Sequence, residues 1–136
     1  MITTYWSNFL QNRIYGGVAA PDLPSTYYLA ISTTTPAVSG TGFTEPTTVG
    51  SAYARVQIPN NKTSFTASEN GVVKTAVDFS FAESTSHWGT ITYAGIFDAP
   101  TGGNLLEFIA LPTTRVVEIG TILTIRAGQL EFTLGN

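Results

Sequence analysis

The stretch WGTITYAGIFDAPTGGNLLEFIAL, Trp88–Leu111, decides the fold. Ile91, Tyr93, Gly95 and Phe97 recur at every second position, the spacing of side chains that share one face of a strand. Asp98-Ala99-Pro100-Thr101-Gly102-Gly103-Asn104 interrupts them, and its Gly-Gly-Asn end supplies the positive φ that a hairpin turn needs. Leu105 to Leu111 then forms a nearly continuous apolar run.

The same alternation extends outward from this segment. Tyr27–Thr33 places Tyr27, Leu29 and Ile31 on one side, and Tyr53–Ile58 places Ala54, Val56 and Ile58 inward. Val77, Phe79 and Phe81 share a face. Thr121–Arg126 and the set Leu130, Phe132 and Leu134 close the chain. Turn formers separate these runs at Pro59-Asn60-Asn61, Glu69-Asn70-Gly71 and Ala127-Gly128, and a long loop with Gly40-Thr41-Gly42 runs from residue 35 to 50. Many short strands at such spacing predict a β-sandwich or jelly roll, not a βαβ fold.

The first fifteen residues follow another period. Trp6, Phe9, Leu10 and Ile14 fall on one helical face. Thr3 or Thr4 can cap the start and Gly16-Gly17 the end, which predicts a helix over residues 4–15. A helix that short is marginal alone and must dock on its own domain or on a neighbour. The expected architecture is all-β, an antiparallel β-sandwich or jelly roll preceded by a short N-terminal amphipathic helix. Residues 1–25 form the helix and a connecting arm, and residues 26–136 a single β-sandwich domain.

Composition narrows the function. Of the 136 residues 43% are hydrophobic, so one core is possible, and only 11% are charged against about 25% in average soluble domains. Such a surface must be largely Thr, Ser, Asn and Gly, with part of its apolar area covered by another subunit. A net charge of −3 without a basic block argues against nucleic-acid binding. No apolar run is long enough for a transmembrane helix, and the start lacks the pattern of a secretory signal. Synthesis in a cytoplasm, without classical secretion, is the expectation. The absence of cysteine removes disulfides, zinc-thiolate sites and thiol nucleophiles.

The remaining residues offer three chemistries. His87, the lone histidine, stands beside Trp88, and no serine occupies a G-x-S-x-G elbow, so a triad has no support. Asp78, Glu83, Asp98, Glu107, Glu118 and Glu131 lie on or near strands. Acids isolated on an outer face are the default, and a glycosidase would need two facing each other. Tyr27, Tyr28, Tyr53, Trp88 and Tyr93 could offer rings to a sugar, although core and interface are the commoner uses of Tyr and Trp. Asp98–Asn104 has too few carboxylates for a calcium loop. Gly95 inside an apolar strand predicts a bulge or the close approach of another backbone or ring. Arg55, a lone charge in an alternating strand, either pairs with a carboxylate or lies solvated. No catalytic, metal or cofactor constellation emerges.

Several strings together resemble a family of small structural proteins of tailed-phage virions, whose members are often labelled tail fibre or minor structural proteins. They are YYLAIS (27–32), GTGFTEP (40–46), SAYARV (51–56), WGTITYAGIFDAPTGGNLL (88–106) and TILTIRAGQLEFTL (121–134). The most specific part is the order Trp88, Gly89, Gly95, Phe97, Asp98, Gly102, Gly103, Asn104, Leu105, Leu106. The resemblance implies a non-enzymatic virion protein that acts through protein contacts, as capsid decoration or cement, or as a tail-fibre-base adaptor. Its expected partners are other virion proteins and itself, as a homotrimer. Trp6, Phe9, Leu10 and Ile14 are the candidate assembly anchor. Gly40, Thr41, Gly42 and Phe43, with Asp98, Gly102, Gly103 and Asn104, are candidate loops facing solvent or a partner. The alternative is a carbohydrate-binding receptor module for a bacterial surface glycan. No nucleic acid, membrane or cofactor is expected.

Overall fold

A computed structural model describes residues 1–19 and 21–135. The elements are α1 (Thr4–Tyr15), β1 (Thr26–Ser32), β2 (Val56–Pro59), β3 (Val73–Lys74), β4 (Phe79–Ser80), β5 (Gly89–Phe97), β6 (Leu105–Val117), β7 (Thr124–Ile125) and β8 (Glu131–Phe132). All named pairings are antiparallel. One sheet has the order β2-β1-β5-β6, while β3-β8 and β4-β7 are two-stranded ribbons.

The β5–β6 hairpin grows from the segment read first, with Tyr93 opposite Ala110, Gly95 opposite Phe108 and Phe97 opposite Leu105. The ladder slips twice, between Ile91 and Tyr93 and between Ile96 and Phe97. Each slip reverses the faces, because strand periodicity is 2. Ile91 therefore joins Ala94 and Ile96 in the main core, while Tyr93 and Phe97 pack on the opposite face with Ala30, Leu105 and Phe108. The expectation that Ile91 shares a face with Tyr93 and Phe97 is corrected by this first bulge. The second leaves Leu105 and Phe108, three residues apart, on the same face, with Leu106 in the main core.

Both faces of the sheet are covered. On the main side lie Leu29, Ile31, Ile58 and Ile96, joined by Phe79, Phe81, Leu123, Ile125 and Leu130 from the ribbons and their flanks. Each such side chain contributes about 1.5–3 kcal/mol when fully buried. Three further sequence expectations change here. Residues 53–55 lie outside β2, with Tyr53 buried and Ala54 exposed, because the Tyr53 ring stacks on Phe81 at 5.9 Å. Val77 and Leu134 are exposed, at 39% and 70%, since the ribbons end before reaching them.

The helix is positioned by the residues before it. Ile2 bridges Glu107, and the Thr3 N–H donates to Leu106 O at 2.9 Å, so the chain starts antiparallel to β6. Thr3 is the N-cap: its Oγ1 accepts from the Trp6 N–H at 3.3 Å and donates to Leu105 O at 2.7 Å. One hydroxyl thus starts the helix and ties it to the sheet. Gly16, at φ 67°, ends it by donating to Asn12 O.

Candidate functional site

Two regions gather polar side chains against aromatic ones. The first is a clamp centred on Arg55. Its Nη2 lies 2.6 Å from Glu45 Oε1 and its Nε 3.0 Å from Glu45 Oε2, a bidentate pair. Its Nη1 donates to Ala99 O and to Gly102 O, both at 2.8 Å. The guanidinium carbon stands 3.7 Å from the centre of the Phe97 ring. A cation over an aromatic face gains from the ring quadrupole, more so when desolvated. The Arg55 side chain is only 6% exposed. Tyr53 donates its hydroxyl to Glu45 Oε2, and burial, then Glu45, push that phenol far above its ordinary range. One buried cation therefore joins the 35–50 loop, residues 53–55 and the 98–104 hairpin.

The hairpin has its own fastening. Asp98 accepts from the Asn104 backbone N–H at 2.7 Å and from Asn104 Nδ2 at 3.0 Å. Gly103, at φ 71°, leaves room for this: a Cβ there would stand 2.5 Å from Asp98 Oδ1. Gly102, Gly103 and Asn104 are exposed, and Asp98 is half-buried. In the 35–50 loop, Phe43 folds back onto the sheet, edge-on to Phe97 with centroids 5.2 Å apart. Gly95 permits this, since a Cβ there would meet the Phe43 ring at 2.8 Å. Gly40, Thr41 and Gly42 stay exposed in a tight turn, closed by Ala37 N–H donating to Thr41 O. The structure thus brings Phe43 to Phe97 and Glu45 to the hairpin, while residues 40–42 form a neighbouring tip.

The second region is a cleft of about 550 Å³ beside α1, β1 and the β3–β8 ribbon. Its walls include Trp6, Tyr27, Phe65 and Phe132, with Glu107 and Asn60, Asn61 and Lys62 among the polar lining. The rings meet edge to face in series: Trp6–Tyr27 at 6.2 Å, Tyr27–Phe65 at 5.9 Å and Phe65–Phe132 at 5.7 Å. Asn60 Nδ2 donates to Pro24 O at 2.9 Å and to the Tyr27 hydroxyl at 3.3 Å. Asn61 Oδ1 accepts from the backbone N–H of Thr63 and of Ser64. Glu107 is 7% exposed. Burial pushes its carboxyl up to about 7, against the weaker pull of the Met1 α-ammonium and the Thr133 N–H. Burial, then Glu107, also raises the Tyr27 phenol.

The anchor residues are placed differently from one another. Trp6 is 6% exposed and stacks on Phe9 at 5.0 Å, inside the chain's own core. Phe9 and Leu10 are half-buried against the same core. This corrects the reading of Trp6 as a residue presented to a neighbour: the Thr3 cap turns its side of the helix onto the sheet. Ile14, 61% exposed, is the one of the four that faces outward. Among the candidate sugar rings, Tyr27, Tyr53 and Trp88 are all core residues, Tyr27 reaching the cleft by one edge, and Trp88 donates its indole N–H to Ser51 O at 2.9 Å. Glu107 also departs from the outer-face default for acids. Its position between Leu106 and Phe108, within an apolar run, was the available signal. Glu45 and Phe65 carry no signal in the sequence, because their loops have no period.

Among the described residues no group of three or more His, Asp or Glu side chains is placed to hold a metal ion. None of the described helices is long and apolar enough to cross a membrane. No curated protein matches the chain. A family model described as podophage GP4 fiber I protein gp80 matches residues 1–133. With nearly the whole chain matched, the protein belongs to the podophage GP4 fiber I gp80 family and is a non-catalytic structural protein of a tailed phage.

Proposed function

We propose that the protein is a small contact module of the virion and that the clamped loops form its main contact surface. The observation that carries this is the fourfold engagement of Arg55, which turns two loops distant in sequence into one preorganised rim. A rim ordered before binding loses less conformational entropy on docking than free loops do. The matched family's name favours a fibre-associated position, as a fibre-base or adaptor module, over capsid decoration or cement. A homotrimer suits such a place, since symmetry multiplies modest contacts. Ile14 and Tyr15, 61% and 81% exposed at the end of α1, are the apolar residues we assign to the self-contact. We read the two ribbons as the second layer of a sandwich over the four-stranded sheet, with residues 26–136 as its body.

Native mass spectrometry of the purified protein tests the assembly half of this reading, and a trimer is the expected result. A second reading, binding of a bacterial surface glycan, draws support from the aromatic cleft and not from the buried Tyr53 and Trp88.

A further inference from the structure

We propose that the cleft lined by Trp6, Tyr27, Phe65 and Phe132 is a saccharide site, with Asn60, Asn61, Lys62 and Glu107 addressing the sugar hydroxyls. This rests on the glycan-binding reading and assigns it a place in the fold. A pyranose carries an apolar C–H face and a rim of hydroxyls, and the cleft offers both complements. Its volume of about 550 Å³ lies within the ~300–1,000 Å³ of small-molecule sites. Three lining groups have unused capacity among the described residues: Asn60 Oδ1, Asn61 Nδ2 and Lys62 Nζ.

Glu107 decides between ligand classes. Its carboxyl is nearly buried, it accepts from the Thr133 N–H and feels the Met1 α-ammonium, and no Lys or Arg side chain lies within ion-pair distance of it among the described residues. An aliphatic peptide side chain filling the cleft would strip the remaining water from this group and return no hydrogen bond. A cationic ligand would meet Lys62 on the way in. A neutral, hydroxyl-bearing ligand satisfies the carboxyl in either protonation state, because a hydroxyl both donates and accepts. The clamp borders a cleft of about 520 Å³ of its own, but its guanidinium is already spent on Glu45 and two carbonyls and its walls hold one aromatic ring, the buried Tyr53.

The test is an NMR titration of ¹⁵N-labelled full-length protein. The probes are methyl α-glucopyranoside, methyl α-galactopyranoside, methyl α-mannopyranoside and O-antigen oligosaccharide from a host of the phage. Lys62→Ala and Phe132→Leu are run beside the wild type. Lys62 is exposed and in no ion pair among the described residues, so its truncation leaves the fold in place. The expected result is a saturable shift of the amides of residues 60–66 and 132 with at least one probe. Lys62→Ala should weaken that binding about tenfold, the loss expected for a hydrogen bond to a charged group. Phe132→Leu should weaken it about threefold or more through the lost ring face. Shifts confined to residues 43–45 or 98–104, or full affinity in both variants, would overturn the site while leaving glycan binding intact. No shift with any probe would overturn the site and the glycan reading together, and would leave the contact-module reading standing.

Discussion

Arg55 and Glu107 are both nearly buried, yet the fold surrounds them differently. Arg55 meets a carboxylate, two carbonyls and a ring face, so its desolvation is offset by groups already in place. Glu107 sits among Trp6, Tyr27, Ile96 and Phe132, and the same burial appears as a carboxyl pushed up to about 7. A satisfied buried charge makes a rigid, closed surface. A buried carboxyl beside an open cleft, held by one backbone N–H and the pull of the Met1 α-ammonium, leaves a place where a ligand can bind. The clamp fits a docking rim, and the cleft fits a ligand site.

The largest expected effect comes from dismantling the clamp. Arg55→Ala leaves Glu45 and two carbonyls without their cation and should cost about 3–5 kcal/mol, the range for breaking a buried pair. Urea denaturation checks this, and a cycle with Glu45→Gln should show strong coupling. Additive losses would mean that the pair is merely adjacent.

The cleft carboxyl predicts the opposite response. Its folded pKa of about 7 lies above the ordinary 4.5, so the folded state holds its proton more tightly. The stability this group contributes is fully present below pH 4.5 and is lost as pH rises through about 7, with no further change above. Glu107→Gln should therefore match the wild type near pH 4.5 and be more stable at pH 8, by up to about 3 kcal/mol. A pH-independent difference between the two proteins would contradict the burial argument.

Gly95→Ala is expected to cost about 1–3 kcal/mol by overpacking. The new methyl would meet the Phe43 ring at 2.8 Å, Leu105 Cδ1 at 2.9 Å and Glu107 O at 3.1 Å. Because Phe43 leads directly to Glu45, this variant should also raise amide exchange in the 35–50 loop. The smallest effect on stability belongs to Ile14→Ser, within about 0.5 kcal/mol for so exposed a residue. Its readout is subunit number by native mass spectrometry, where loss of the trimer is expected.

The hairpin, the helix with its two caps, and most strands were legible from the sequence because each has a strong local period or turn chemistry. The close approach at Gly95 was legible as well, as a glycine in an apolar strand. The bulge after Ile91 was not, because β6 advances five residues, Arg115 to Ala110, while β5 advances two, Ile91 to Tyr93, and the sequence of β5 keeps its apolar period through the break. The clamp was half visible. Arg55 stood out as a lone charge, but Glu45 lies ten residues earlier in an aperiodic loop, and the Ala99 and Gly102 carbonyls leave no side-chain signature. Glu107 was visible as an acid in an apolar run, although the cleft around it forms only when α1 folds back against β6.

The most direct test of the central claim is the copy number of two variants in virions, after complementing a phage that lacks its own gene for this protein. Thr101→Trp places a bulky ring on the exposed hairpin tip, and Lys62→Ala alters only the cleft mouth. The account predicts that Thr101→Trp is folded but depleted from particles, while Lys62→Ala is incorporated at the wild-type level. Wild-type incorporation of Thr101→Trp would contradict the assignment of the clamped loops as the contact surface.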